Sequence, residues 1–224
     1  MKKYRIGPMP PALDPEITAG FEKVEVATMG HFVHRGFVRH EIRPLGPIQG
    51  TMVGRAITVA IPATDSTLLH HVMSIVEPGD VLVIDRLGDD RHACLGGGVA
   101  FGAKCKRVKA VILDGPCTDA EEILEVGLPV YCRGISPITT RLNDLGGAIN
   151  RPVSCGGVPV MPGDYVVMDA CGVLVVPVEE APEILARATE IQSRMGRNKD
   201  KVASGIPLGE LSGAGDKVRA ELES

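Results

Sequence analysis

The stretch from Val81 to Cys132 decides the fold, because short apolar runs alternate in it with helical segments. It contains VLVI at 81–84, GGGVAFGAKCKR at 96–107, VKAVIL at 108–113, TDAEEILEV at 118–126 and PVYC at 129–132. Continuous apolar runs of this length are typical of strands buried on both faces, and their alternation with helices is typical of βαβ units. We therefore predict an α/β fold whose sheet is at least partly parallel.

The segments before this stretch extend the pattern. Residues 1–12 contain three prolines and predict an extended arm, and Asp14-Pro15 predicts a helix that continues to about Thr28. The run 51–61 has the composition of a strand, and Asp65-Ser66-Thr67 predicts the cap of a helix through Val76.

Towards the C-terminus, short strands are predicted at 158–160, 165–168 and 173–176, followed by a helix from about Glu179 to Arg194. Residues 196–224 form a polar, glycine-rich tail with a weak helix near 216–222. A length of 224 residues suits one domain with arms. We therefore expect one domain over residues 1–195 and a tail over 196–224.

Two stretches of the chain resemble each other, PGDVLVID at 78–85 and PGDYVVMD at 162–169. We favour a recurring way of turning into a strand, because Pro, Gly and Asp each suit a turn. An internal duplication is the alternative.

Composition excludes several classes of protein. The chain carries 24 Lys and Arg against 28 Asp and Glu, a net charge of −4, which argues against broad nucleic-acid binding. It has no Trp, 3 Tyr and 4 Phe, so base-stacking platforms are not expected. No apolar run is long enough to cross a membrane, and the first residues lack the apolar core of a secretory signal. We expect a cytoplasmic protein without nucleic-acid or membrane partners.

The six cysteines form no C-x-x-C pair and fit no common zinc site. We expect reduced thiols that pack as small apolar side chains. They are Cys94, Cys105, Cys117, Cys132, Cys155 and Cys171.

Gly96, Gly97 and Gly98 predict either an anion-binding loop or a close packing contact. A helix start leaves backbone N–H groups unpaired and carries partial positive charge, and glycine lets a carboxylate or phosphate approach. The surrounding residues match neither a P-loop nor a dinucleotide fingerprint. Close packing of the helix on a strand is the alternative. The polar segment 89–92 precedes these glycines and is a candidate lining of the same pocket.

A second candidate site follows the strand at 108–113. Asp119 lies where a strand passes into a helix, and open α/β sheets bind ligands at such junctions. One carboxylate with water suits Mg²⁺, which keeps much of its hydration shell. The alternative is structural, because Thr118 and Glu121 have the spacing of a capping box. The residues alone leave both interpretations open.

Several motifs together resemble one known family, the RraA-like family. They are Gly96-Gly97-Gly98-Val99, Asp114-Gly115, Asp119-x-x-Glu122, Leu128-Pro129-Val130-x-x-Arg133-Gly134, Cys155-Gly156-Gly157-Val158 with Pro162-Gly163-Asp164, and Asp169-x-x-Gly172-Val173. The family includes class II 4-hydroxy-4-methyl-2-oxoglutarate / 4-carboxy-4-hydroxy-2-oxoadipate aldolases. The resemblance extends from about Gly50 to Arg194.

The resemblance implies a single swivelling-type α/β sandwich domain that assembles as a homotrimer or homohexamer. It implies a small 2-oxo or hydroxy acid as ligand, and Mg²⁺ or Mn²⁺ held by Asp119 and Glu122. The ion would act as a Lewis acid that stabilises a pyruvate enolate, which retro-aldol cleavage and oxaloacetate decarboxylation share. The ligand-binding residues that it implies are Gly96, Gly97, Gly98, Val99 and Thr118.

The sequence departs from the aldolase pattern at one position. Counted from Gly97, that pattern has an arginine where this chain has Thr118, whereas Asp119 and Glu122 are in register. Arginine grips a carboxylate with a two-pronged charged hydrogen bond, and threonine offers one neutral hydroxyl. The candidates for a replacing cation are Arg86, Arg91, Lys104 and Arg133.

We expect a metal-dependent carbon–carbon lyase with Asp119, Thr118 and Arg91 as its catalytic residues. A first alternative is a non-enzymatic RraA-like binding or regulatory protein, since the family's namesake members bind and inhibit a ribonuclease. A second is a lyase or hydratase for a different small acid, with pocket residues from 85 to 92.

Overall fold

The computed structural model describes residues 2–223. The strands are β1 (Tyr4–Ile6), β2 (Arg43–Pro44), β3 (Met52–Ala60), β4 (Asp80–Asp85), β5 (Ala110–Leu113), β6 (Val130–Cys132), β7 (Gly147–Ile149), β8 (Val153–Cys155), β9 (Val158–Val160), β10 (Tyr165–Asp169) and β11 (Gly172–Val176). The helices are α1 (Pro15–Phe21), α2 (Val26–Met29), α3 (Thr67–Val72), α4 (Gly97–Cys105), α5 (Ala120–Val126), α6 (Ala181–Ala203), α7 (Leu208–Ser212) and α8 (Ala214–Leu222).

A mixed sheet forms the centre of the fold. Its strands lie in the order β1-β7-β3-β4-β5-β6-β2, and β3, β4, β5 and β6 run parallel to one another. The hairpin β10–β11 joins the sheet through β10, which pairs antiparallel with β3. β8 and β9 form a separate hairpin. The predicted α/β fold with a partly parallel sheet is confirmed.

The apolar runs of the parallel strands are buried on both faces. In β4, Leu82 and Ile84 belong to a buried cluster that includes side chains of α3, α4 and α5. Val81 and Val83 belong to a second cluster that includes side chains of both hairpins. Successive side chains of a strand point to opposite faces, so a strand buried on both faces must be apolar throughout. A third cluster packs α1, α2 and α6 against β10 and β11.

The N-terminal region differs from the prediction in one respect. Asp14 caps α1 as predicted, because its side chain accepts the N–H groups of Glu16 and Ile17. The helix does not continue to Thr28, however, since α1 ends at Phe21 and α2 begins at Val26. Val24 and Val26 are both buried in the third cluster, and residues two apart do not share a helix face. Of the predicted arm, β1 pairs in parallel with β7 at the edge of the sheet.

The long C-terminal helix is longer than predicted. α6 continues past Arg194 to Ala203, and its end is followed by Gly205 in the left-handed conformation, with φ +99°. Glycine in this conformation is a common helix stop, and nothing comparable interrupts the chain near 194. None of the helices within residues 2–223 combines the length and hydrophobicity that a membrane-crossing segment requires.

The two Pro-Gly-Asp stretches form the same local turn. Gly79 and Gly163 have φ values of +92° and +97°. Asp80 accepts the N–H of Glu77 at 2.7 Å, and Asp164 accepts that of Met161 at 2.8 Å. The strands that follow run in opposite directions relative to β3, since β4 is parallel and β10 antiparallel. The same turn therefore leads into a parallel strand in one place and an antiparallel strand in the other, as the recurring-turn interpretation predicts.

Candidate functional site

Two helices begin side by side at the carboxyl edge of the parallel strands. The chain leaves β4 through a loop and enters α4, and it leaves β5 and enters α5. The N–H of Thr118 donates to the carbonyl of Leu95 at 2.9 Å, and Leu95 and Cys117 form a parallel bridge. This pairing brings the glycine loop, residues 96–99, against the start of α5. The two candidate sites of the sequence are therefore one site.

A side chain at position 96 or 97 would displace a carboxylate, whereas one at position 98 would not. A Cβ atom on Gly97 would lie 2.0 Å from the carboxyl carbon of Glu122, and one on Gly96 would lie 2.5 Å from Oδ2 of Asp119. Among residues 2–223, nothing lies within 4 Å of a Cβ placed on Gly98, which is exposed. Close packing thus explains the first two glycines. The third has no packing reason, as expected of a position kept open for a ligand.

Asp119 has an uncommon backbone conformation and two hydrogen bonds to its carboxylate. Its φ of +52° lies in the left-handed region, which costs a non-glycine residue free energy and is often found at functional sites. Oδ2 accepts the N–H of Gly97 at 3.1 Å, and Oδ1 accepts the Thr118 hydroxyl at 3.2 Å. α5 has no side-chain cap, so the capping box of Thr118 with Glu121 is wrong. The Thr118 hydroxyl orients Asp119 instead.

The donor set fits a hydrated divalent cation rather than a closed metal cage. The Asp119 carboxylate accepts the N–H of Gly97, and the Glu122 carboxyl group lies against Gly97. No group of three or more His, Cys, Asp or Glu side chains is arranged for a metal within the described chain. Mg²⁺ commonly takes one or two carboxylates and fills its remaining positions with water and substrate oxygen. Asp119 and Glu122 meet that requirement.

The four candidate cations lie in different environments. Lys104 donates to the carbonyl of Gly127 at 2.7 Å, and Arg133 pairs with Asp114 at 2.5 Å. Arg86 is fully buried, and its Nε and Nη1 atoms have no hydrogen-bond partner in the described residues. The Arg91 side chain is exposed and makes no hydrogen bond or ion pair with any residue from 2 to 223. Arg91 is therefore the candidate whose guanidinium is both accessible and uncommitted.

A cleft of about 540 Å³ opens beside this site, between the loops that follow β4, β5 and β6. Its lining includes Gly88, Asp89 and Asp90, as well as the Arg133–Asp114 pair. The sequence predicted a polar lining at 89–92 shared with the glycine loop. In the described structure the glycine loop is not part of this lining, and the arginine of the cleft comes from the end of β6. The pairing of Arg133 with Asp114 was not predicted, although Asp114 directly follows a buried strand.

Asp89 and His92 are held together beneath the cleft. Asp89 accepts from Nη2 of Arg86 at 3.2 Å and from the backbone N–H of His92 at 3.0 Å, and it contacts Nδ1 of His92 at 2.9 Å. Burial raises the pKa of Asp89, but the hydrogen bonds from His92 and Arg86 outweigh it and lower that pKa below its usual value. Sequence reasoning named Arg86 as a candidate cation but did not predict its burial, because no local pattern distinguishes it from an exposed arginine.

The sequence of the chain matches one family and proteins with an aldolase name. A model of the RraA-like family, described as Aldolase/RraA, matches residues 21–175. A Halalkalibacterium halodurans protein, provisionally named 4-hydroxy-4-methyl-2-oxoglutarate aldolase, is 36% identical over 152 residues, 68% of this chain and 71% of that protein. A Thermus thermophilus 4-hydroxy-4-methyl-2-oxoglutarate aldolase is 31% identical over 124 residues, 55% of this chain and 74% of that protein.

The fold also matches a solved structure. Streptomyces coelicolor RraAS2, described as an unusual member of the RNase ES inhibitor RraA protein family, has a TM-score of 0.75 to this chain at 29% identity. The match covers 84% of this chain and 99% of that one.

Proposed function

This chain belongs to the RraA-like family, and on that premise we propose that it is a divalent-metal-dependent carbon–carbon lyase for a 2-oxo or hydroxy acid. Aldol cleavage and decarboxylation of oxaloacetate are the reactions we assign to it. One observation carries the proposal: the carboxylates of Asp119 and Glu122 meet the backbone of the glycine loop where α4 begins.

The start of α4 suits the carboxylate of the substrate. The first N–H groups of a helix have no acceptor within it and favour negative charge. The Gly97 N–H is used by Asp119, whereas the exposed Gly98 has open space around it. An anionic substrate placed here would be repelled by Asp119 and Glu122 unless a cation lay between them. The arrangement therefore favours a bound cation.

Asp119 and Glu122 would hold that ion, and the Thr118 hydroxyl would keep the Asp119 carboxylate in place. A bound Mg²⁺ or Mn²⁺ supplies Lewis-acid stabilisation of the charge that develops on the 2-oxo oxygen as the carbon–carbon bond breaks. Arg91 would replace the family arginine by binding a substrate carboxylate. Loss of a hydrogen bond to a charged group costs roughly 1.5–3 kcal/mol, so a chain with no replacing cation would lose about ten- to a hundred-fold in affinity.

The test is pyruvate release from 4-hydroxy-4-methyl-2-oxoglutarate and from oxaloacetate, with Mg²⁺ and with chelator. We expect metal-dependent release that falls at least a hundred-fold in Asp119→Ala and falls strongly in Glu122→Gln. Glu121→Gln is the matched control, because Glu121 is an exposed acid of the same helical turn. Equal rates in wild type and Asp119→Ala, or rates unaffected by chelator, would overturn the proposal.

The neutral Thr118 favours a second candidate, a non-enzymatic regulatory protein. The S. coelicolor structure is described as a member of a ribonuclease-inhibitor family, and the match covers 99% of that protein. Absence of pyruvate release by both wild type and Thr118→Arg with both substrates, together with inhibition of RNase ES cleavage, would favour this candidate.

Release of pyruvate only by Thr118→Arg would instead indicate a metal site that serves another acid. A lyase or hydratase using the cleft would lose activity in Arg133→Gln and keep it in Asp119→Ala.

We also propose that the chain assembles as a homotrimer or homohexamer. Support comes from a group of apolar side chains that follow β6 in the chain and are exposed to water. Such contact with water is unfavourable, and burial in a subunit interface would remove it. The side chains are those of Ile135, Ile138, Leu142 and Leu145. Light scattering during gel filtration should report three or six times the chain mass of 23.7 kDa, and a monomer would contradict the proposal.

A further inference from the structure

Two buried cysteines face each other next to the site. The sulfur atoms of Cys117 and Cys132 are 3.6 Å apart. A disulfide bond is about 2.05 Å long, so modest side-chain rotation and backbone adjustment must close the remaining gap. The two residues lie on neighbouring segments, since Cys132 ends β6 and Cys117 follows β5. No other hydrogen bond joins two sulfur atoms among the described residues.

The environment of the pair suits oxidation better than metal binding. No third His, Cys, Asp or Glu completes a metal site with these sulfurs in the described chain. Interaction with the Cys117 thiol, aided by the nearby backbone N–H groups of Gly134 and Cys117, outweighs burial and lowers the pKa of Cys132. By contrast, mainly through burial, the pKa of Cys94 is raised to about 11 and that of Cys155 is raised well above its usual value. Cys132 is thus the buried cysteine with the most thiolate character.

We propose that Cys117 and Cys132 are a redox-active pair, which a small peroxide converts to an intramolecular disulfide and a dithiol such as dithiothreitol reduces back to two thiols. The Cys132 thiolate attacks one oxygen of hydrogen peroxide, the O–O bond breaks, and a sulfenic acid forms as the other oxygen leaves as water after taking a proton. The Cys117 thiol then attacks the sulfenic sulfur, which forms the S–S bond and releases a second water. Two electrons pass from the sulfurs to the peroxide.

Burial selects the oxidant. Cys117 is 0% exposed and Cys132 is 4% exposed, so a bulky disulfide such as oxidised glutathione cannot reach either sulfur in the folded chain. Hydrogen peroxide is little larger than water. Cys105 and Cys171 are exposed and open to both oxidants. The two pairs of cysteines should therefore differ in which reagent oxidises them.

The bond would act on the site through the backbone. The Cys117 N–H donates to the carbonyl of Gly134 at 2.9 Å, and its carbonyl accepts the N–H of Ser136 at 2.8 Å. The next residue, Thr118, is bonded to Leu95 at the glycine loop. A shift of Cys117 towards Cys132 would therefore move the segment that carries Thr118 and Asp119.

The experiment uses the full chain with Cys105→Ser and Cys171→Ser, which leaves four of the six cysteines. The folded protein is treated with hydrogen peroxide, quenched with catalase, denatured, alkylated and cleaved after glutamate. Glu121, Glu122 and Glu125 separate the two cysteines, so a disulfide joins two peptides that otherwise run apart. We expect two of the four thiols to escape alkylation, one linked peptide pair, and full recovery of four thiols with dithiothreitol.

Variants decide the outcome. Cys132→Ala and Cys117→Ala should each abolish the linked pair, and either one serves if the other fails to fold. Cys155→Ala is the matched control, because Cys155 is buried but has no sulfur neighbour, and it should keep the linked pair. Four alkylated thiols after a peroxide dose that fully oxidises Cys105 in the natural chain would overturn the proposal. So would an over-oxidised Cys132 without a link, or a link to Cys94.

An effect on catalysis rests additionally on the proposed function. Peroxide should then lower pyruvate release at least five-fold in the Cys155→Ala control and leave Cys132→Ala unaffected. The disulfide is detected by peptide mass and catalysis by pyruvate release. Failure of the redox proposal is therefore distinguishable from failure of the proposed function. Absence of the link overturns the redox pair, whereas absence of pyruvate release before peroxide overturns the proposed function.

Discussion

Gly98 is a residue of the candidate site whose identity contacts within the fold do not explain. Its two glycine neighbours accommodate carboxylates of α5, and a side chain at either position would displace one. Gly98 has no such neighbour, and glycine within a helix costs free energy relative to alanine. Gly196 of α6 has the same open space, so the space alone does not identify a ligand position. At Gly98 the proposed function supplies a reason, namely room for the substrate beside the start of α4.

The single substitution Gly98→Ala should therefore both raise the stability of the protein and weaken its binding of substrate. Alanine is favoured over glycine in a helix by up to about 1 kcal/mol, which corresponds to a rise in Tm of roughly 2–4 °C for a chain of this size. The added methyl group would meet the substrate carboxylate, so KM should rise while the backbone N–H remains. Calorimetry and pyruvate assays check the two effects. An unchanged KM would show that the open space at Gly98 is not the substrate position.

At the scale of elements, the two Pro-Gly-Asp turns show how surroundings decide what a shared motif does. Asp80 is buried and bonded to Nε of Arg55 at 2.9 Å. Asp164 is also buried but makes no ion pair with a described residue, and the acids Glu179 and Glu180 lie near it. Burial, aided by these two acids, raises the pKa of Asp164 to about 6 despite the hydrogen bond from Met161. The two turns share one backbone geometry, but only the Asp80 carboxylate has a charged partner.

Asp164→Asn should stabilise the protein at neutral pH but not in acid. In wild type, the folded state binds the proton of Asp164 more tightly than the unfolded state, whose pKa is 3.8. The free energy of unfolding therefore falls as pH rises from 3.8 to about 6 and stays lowered above it. Asparagine remains neutral and can still accept the N–H of Met161. Urea unfolding should show a gain on the order of 1–3 kcal/mol at neutral pH and little gain near pH 4.

Asp80→Asn is the matched change in the other turn and should have the opposite effect. It removes one of the two charged partners of Arg55, which is 8% exposed. Loss of one partner of a buried ion pair costs roughly 3 kcal/mol, and the remaining contacts of Arg55 with Glu77 and Pro10 set that value as an upper limit here. Urea unfolding at neutral pH should show this loss. Equal signs for the two variants would contradict the assignment of an unpaired charge to Asp164.

The elements that sequence predicted well are those whose pattern is local. Residues 81–84 of β4 and all of β5 are apolar because both faces are buried, and this is visible in a few consecutive residues. The break between α1 and α2 depends instead on contacts with β10, β11 and α6, which lie far along the chain. The candidate site shows the same division. Gly97 and Asp119 were found by motif, whereas their contact requires the pairing of Leu95 with Cys117.

For the molecule as a whole, the sheet and its two covering layers form the stable unit, and the site lies on its surface. The three buried clusters are built from residues up to Ala188. Beyond α6, the chain forms two short helices without a buried residue, α7 and α8. Their exposed apolar side chains include Leu208, Val218 and Leu222. The tail thus adds little to the core, and its apolar residues face outward.

Removal of residues 205–224 should therefore leave the folded domain intact. Stability derives mainly from burial of apolar surface, and neither α7 nor α8 contributes a buried side chain to it. We expect the Tm to change by no more than about 2 °C and pyruvate release to stay within about two-fold of the full chain. A matched cut after Arg187 would remove Ala188, a fully buried residue of the third cluster, and should lower the Tm clearly. If removal of residues 205–224 by itself converted the oligomer to a monomer, the exposed apolar side chains of the tail would form a subunit contact. Within one chain these side chains contribute nothing to the buried core.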